Sequence, residues 1–230
     1  MTWLPFATAL LVFVASHYLP AVTGLREALI ARYGRRVYFS GYGLLSLVIL
    51  GWLIVAAANA PHITLWPAPP WTRWLPNIAM PLAFLLATAG IGMAQPFTLG
   101  GRRAARFDPR DPGLAAVTRH PLLLALALWS GAHLVANGDL AHALLFRGFL
   151  AMALAAMRVA DRRARRELTP GEAEAFFRNT APLSLAPLDD PAWRRRALPG
   201  FARRALVGLG LWLAALMAHG SLIGVSPFPL

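Results

Sequence analysis

Three histidines in or beside long apolar runs carry the chemistry this chain has to offer: His17, His120 and His133. A neutral imidazole can ligate a metal or exchange a proton near neutral pH. Placed against lipid it is costly, so by default it faces protein and marks a functional-site candidate. His120 and His133 share one stretch, Thr118–Asp139, TRHPLLLALALWSGAHLVANGD. They stand thirteen residues apart, which on a helix is ~20 Å along the axis and ~220° around it. At most one of the two therefore belongs to any single small site inside a bundle.

His17 sits deep in the first apolar run, three residues before Pro20. That proline removes the amide that would pair with the Ser16 carbonyl, so a kink is expected beside the imidazole. His133 has Trp129 four residues earlier on its own face and Ser130 three earlier, the helical-neighbour spacings. Each reads either as a neutral histidine hydrogen-bonded in the bundle or as a ligand to a metal or haem. Counted from the inner end, His17 lies at ~10 Å and His133 at ~18 Å, an offset that two axial ligands of a tilted porphyrin can span. His120, after Arg119 and before Pro121, begins a helix where proline is tolerated. As an exposed Arg-His pair it would suit an anion; otherwise it is a helix-start motif.

Arg147 is the one arginine well inside an apolar run, ~10 Å below the outer face. It suits a carboxylate such as a haem propionate, or else snorkels to the headgroups or pairs with Asp139. His62, His142 and His219 read as interface or core residues. The absence of cysteine excludes disulfides, Cys-ligated zinc, iron–sulfur clusters and thiolate catalysis. No Gly-rich phosphate loop and no G-x-S-x-G occurs. None of the ten Asp and Glu residues falls in the middle of an expected helix, which leaves hydrolytic acid–base chemistry little to work with.

The elements that must position these residues are membrane helices. Over 230 residues the mean hydropathy is +0.53 and 57% of side chains are apolar, above a soluble domain's usual content. Several runs reach the ~20 residues that cross a bilayer. The expected architecture is all-α: one domain, 1–230, with six transmembrane helices at about 4–24, 37–59, 77–99, 120–137, 140–160 and 202–224. A basic loop covers 25–36, and a surface segment covers 161–201. Gly90, Gly92 and Pro96 predict close packing and a bend in the third helix. The first apolar run starts almost at Met1 without a basic leader, so no cleaved signal peptide is expected.

Net charge is +12 with no lysine, and 20 of the 22 arginines fall in three inter-helix segments and the helix ends that flank them. With both termini outside, every arginine-rich segment faces the cytoplasm, as the positive-inside bias requires. This distribution, with attraction to anionic lipid, accounts for the charge and argues against a nucleic-acid partner.

Taken together, Ser16-His17 with Pro20 and Arg26, Gly34-Arg35 with Tyr38, Leu65-Trp66-Pro67, Thr118-Arg119-His120-Pro121 with Trp129 and His133, Asn137-Gly138-Asp139, and the ending Gly224-Val225-Ser226-Pro227 resemble the NnrU family. The match runs over nearly the whole chain. The resemblance implies a multi-pass protein of the bacterial inner membrane, associated with denitrification in the setting of nitrite and nitric oxide reduction. NnrU is in turn similar to the plastid 15-cis-zeta-carotene isomerase, a membrane enzyme that uses haem b. By that likeness His17 and His133 take the place of haem ligands, His120 matches a further histidine, and the substrate class is an apolar polyene. The isomerase has a cysteine three residues before its second ligand, where this chain has Ser130; a thiolate switch is unavailable here. Arg119-His120-Pro121, with Phe176-Phe177, Pro182 and Pro187, also resembles isoprenylcysteine-type membrane methyltransferases. That likeness implies S-adenosylmethionine at Arg119 and His120. The remaining option is an accessory protein without catalysis of its own.

Overall fold

The structure is a computed structural model that describes residues 2–101 and 107–228. The expected basic residues Arg102, Arg103 and Arg106 lie outside the described residues. The described residues form α1 (Leu4–Val22), α2 (Leu25–Ala58), α3 (Trp74–Gly90), α4 (Pro121–Ala136), α5 (Leu140–Glu167), α6 (Pro170–Asn179) and α7 (Pro191–Ile223). Among them no strand occurs beyond one isolated bridge, Thr64 with Asp139. The protein is all-helical, and α2, α5 and α7 are long and apolar enough to cross a membrane. Their outer faces carry exposed leucine and valine, among them Leu44, Leu47 and Val48 on α2 and Leu206, Leu213 and Leu222 on α7. Apolar surface of that extent belongs against lipid. This is a membrane protein.

The chain falls into two compact units. The first comprises Met1–Pro67 with Gly138–Leu145. Here α1 packs on α2, and the buried positions Phe6, Ala9 and Phe13 on α1 and Ile49, Leu53, Ala56 and Ala57 on α2 recur at helical spacing. Gly138 accepts the Leu65 amide at 2.7 Å, and Leu140 donates to the Ile63 carbonyl at 2.9 Å. A β-carbon at Gly138 would lie 2.0 Å from the Trp66 carbonyl oxygen, so only glycine fits this turn.

The second unit comprises Ala68–Asn137 with Phe146–Leu230. Its centre is α3, which packs on both α4 and α7. Gly90 ends α3 against Pro121, whose Cγ would be 2.5 Å from an added β-carbon, and a β-carbon at Gly208 of α7 would lie 2.7 Å from Thr88 Oγ1 and 3.0 Å from Phe84 O. Small residues let helices approach to backbone contact within a membrane. Arg204 of α7 donates to the carbonyls of Ala89 and Ile91 at 2.7 and 3.0 Å, fastening the same end of α3.

Several expected boundaries move. The basic loop 25–36 is helical: α2 begins at Leu25 and changes course at Gly34, whose φ of 80° breaks the helical pattern. Helix three stops at Gly90 rather than 99, because Ile91 is extended and Gly92 takes φ 72°. Helix five continues to Glu167, and the surface segment holds α6 and the start of α7. Beyond the apolar core of a span, an arginine-rich face is solvated and does not oppose helix, so charge marks the end of a span and not of the helix. Helix one runs on to Val22 with Pro20 inside it.

Candidate functional site

Thr118-Arg119-His120 forms a buried knot at the start of α4. Pro121 occupies the first helical turn, leaving His120 at the N-cap. The preceding residues lie against 181–184: the Arg119 amide donates to Ala181 O at 2.8 Å, Ser184 N to Val117 O at 2.8 Å, and Thr118 Oγ1 to Pro182 O at 2.8 Å. Gln95, fully buried, donates Nε2 to the Arg119 carbonyl at 2.9 Å and accepts from Phe97 N. The Arg119 guanidinium grips Asp161 with two parallel bonds of 2.8 and 3.0 Å, and gives a third to Thr180 O at 3.0 Å. Phe177 lies under both Arg119 and Arg165, whose Cζ atoms are 4.9 and 3.9 Å from the ring centroid. Below it, Phe97, Ala164 and Phe176 close a small apolar core.

His120 Nε2 stands 2.9 Å from Asp161 Oδ1, and Nδ1 stands 3.2 Å from Thr98 Oγ1. Burial pushes this imidazole below the usual histidine value and outweighs the opposing pull of Asp161. The ring is neutral at pH 7, so Nε2–H donates to the carboxylate and Nδ1 accepts from the threonine hydroxyl. The contact is a hydrogen bond rather than an ion pair. For Asp161, which follows the apolar part of α5, burial works upward. Hydrogen bonds from Arg119 and then His120 prevail and hold the carboxyl below the ordinary range. The expectation of an exposed anion-binding Arg-His pair is thus corrected: Arg119 and His120 are 7% and 1% exposed, and their anion is a carboxylate of the chain itself.

The other two histidines share a different geometry. His133 Nδ1 lies 2.8 Å from Trp129 O, four residues back on α4. In the first unit, His17 Nδ1 lies 2.8 Å from Phe13 O, four residues back on α1. A carbonyl only accepts, so Nδ1 carries the proton in both rings and the Nε2 lone pair faces outward from its own helix. Among the described residues no hydrogen bond reaches Nε2 of either ring. Each is framed by aromatics: His17 by Phe13 and Tyr42, with centroids at 4.3 and 5.9 Å, and His133 by Trp129 and Phe146 at 5.8 and 5.2 Å. Ligating histidines characteristically give their second nitrogen to a carbonyl or carboxylate, which fixes tautomer and ring direction.

The family model described as NnrU protein matches residues 5–227. The chain belongs to the NnrU family. No curated protein and no solved structure matches it. In this NnrU protein Arg147 is exposed, with no hydrogen bond or ion pair among the described residues. Asp139 accepts instead from His142, at 2.8 Å. His62 meets Thr64, and His219 donates to Val225 O. Among the described residues no group of three His, Cys, Asp or Glu could hold a bare metal ion. A porphyrin iron asks the chain for only one or two.

Sequence reasoning missed Asp161 and Gln95. Asp161 is the one acid in the arginine-rich run 158–166, at the point where α5 leaves the apolar region, and that isolation was a usable signal. Gln95, an amide between two turns, carried none.

Proposed function

We propose that this NnrU protein binds b-type haem, with His17 and His133 as the residues that would hold it. The observation that carries the reading is the shared state of the two rings: Nδ1–H spent on the i−4 carbonyl, Nε2 left with a lone pair, aromatic neighbours on either side. Either imidazole, in this state, would suit a haem iron, which takes one or two ligands from the chain. Arg147, a cation within an apolar helix, is the proposed partner of a propionate. Bound haem would supply a redox-active iron to an apolar, unsaturated small molecule admitted from the bilayer, with cis–trans isomerisation of a polyene as the reaction. The chain's own part is to orient two imidazoles and exclude water.

The wider reading is a six-span bundle with both termini outside, in the bacterial inner membrane and in the setting of denitrification. The arginine distribution and the family support it. The S-adenosylmethionine alternative draws no support from Arg119 and His120, which are consumed by Asp161, Thr180 and Thr98.

The test is the absorption spectrum of the purified chain, as isolated and after reconstitution with haemin. A Soret band lost in His17→Ala and in His133→Ala, and retained in His120→Gln, is the expected result. A colourless preparation after reconstitution, or a band indifferent to residues 17 and 133, overturns the assignment.

A further inference from the structure

We infer that a cavity in the second unit, between the approach to α4 and the start of α7, is a binding site for the phosphate of an anionic phospholipid. The cavity has a volume of about 440 Å³, and its lining includes Arg110, Arg178, Arg196, Asp190 and Trp193. That volume falls in the range of small-molecule sites. It is larger than a bare phosphate needs and suits a phosphoglycerol headgroup.

The walls are tethered. Ala181 N donates to Ala115 O at 3.1 Å, Ser184 N to Val117 O at 2.8 Å, and Trp193 Nε1 to Gly113 O at 2.9 Å. The site is therefore built by backbone pairing rather than by a chance gathering of surface side chains. Its charge is lopsided. The guanidinium groups of Arg110 and Arg196 have no acceptor among the described residues, and Arg178 shares its own only with exposed Glu174. The acid in the lining, Asp190, is engaged in capping α7 through Ala192 N at 2.8 Å. Guanidinium forks match phosphate oxygens two at a time.

Location selects the lipid form of this chemistry. The cavity is framed by residues that lead directly into apolar α4 and α7. The segment between α6 and α7 presents Leu183, Leu185 and Leu188 to the outside, 61%, 65% and 40% exposed. Exposed leucines beside unpaired arginines offer an acyl chain and a phosphate their respective surfaces. Basic pockets at the cytoplasmic ends of membrane helices hold anionic headgroups by this combination. The site shares no residue with the histidines, so failure of either reading leaves the other standing.

The experiment uses the full chain in detergent and in nanodiscs, with retained lipid counted by native mass spectrometry. The probes are phosphatidylglycerol, phosphatidylcholine and inorganic phosphate. Phosphatidylglycerol is expected to be retained over phosphatidylcholine and not displaced by excess phosphate. In Arg110→Gln/Arg196→Gln its retention should fall roughly tenfold or more, from the loss of two interfacial arginines. Arg195→Gln removes the same kind of charge one residue away and should leave retention unchanged. Equal retention of both lipids, displacement by inorganic phosphate, or a double variant that retains phosphatidylglycerol like the wild type would each overturn the proposal.

Discussion

Replacing Asp161 by asparagine tests whether the knot at the start of α4 holds the second unit together. The carboxylate takes two bonds from Arg119 and one from His120, all between 2.8 and 3.0 Å. Hydrogen bonds to charged groups contribute about 1.5–3 kcal/mol each, and stranding one member of a buried pair costs about 3–5 kcal/mol. The Asp161 side chain is 26% exposed, and asparagine keeps one acceptor oxygen, so the low end applies: about 2–3 kcal/mol. For a chain of this length that is a fall of roughly 5–10 °C in the unfolding midpoint. The assay is thermal unfolding in detergent, followed by far-UV circular dichroism and by size-exclusion recovery after heating. Arg119→Met should destabilise similarly. The pair Arg119→Met/Asp161→Leu should lose less than the sum of the single changes, because no charge is then stranded. An Asp161→Asn protein melting within about 2 °C of the wild type would refute the argument.

The same knot sets an acid limit. His120 is held below the ordinary histidine value of about 6.5, so the unfolded chain binds the proton first and stability falls as pH drops below that value. Asp161, held below 3.8, adds a second loss at lower pH. Unfolding midpoints between pH 7 and 4 should show the first decline, and His120→Gln should flatten it. On α7, Gly208→Ala forces a β-carbon to within 2.7 Å of Thr88 Oγ1 and 3.0 Å of Phe84 O. It should cost about 1–3 kcal/mol by thermal unfolding. Gly210→Ala, with open space around its β-carbon, should cost nothing measurable.

Helix four was legible almost to the residue, because Pro121 and the Asn137-Gly138-Asp139 turn bound an unbroken apolar run. The apolar cores of α1, α2, α5 and α7 were legible for the same reason. Where charge took over from hydropathy, the reading stopped too early. The residues after Ala160 continue α5, and Asp190 caps α7 well before its apolar part begins. Thr169-Pro170-Gly171-Glu172 forms a capping box at α6 whose spacing was there to be read. Helix three was read too long because nothing in its hydropathy distinguishes Ile91 from Ala89. What ends it is the extended backbone at Ile91 and the left-handed one at Gly92. At the site, residue types pointed to His120 but not to its burial. Its partners Thr98 and Asp161, and the Arg119 partner Thr180, come from three separate stretches that only the tertiary fold brings together.

Because α4 is clamped at Pro121 and runs without interruption to Ala136, it acts as a lever with its fulcrum at the clamp. The His133 ring sits ~18 Å along that arm. A ~5° change in pitch at the fulcrum swings it by ~1.6 Å, more than the proposed iron–nitrogen bond would tolerate. Loosening Asp161 should therefore be felt at His133 without any residue touching both, and the ring's aim is set from the opposite end of the rod.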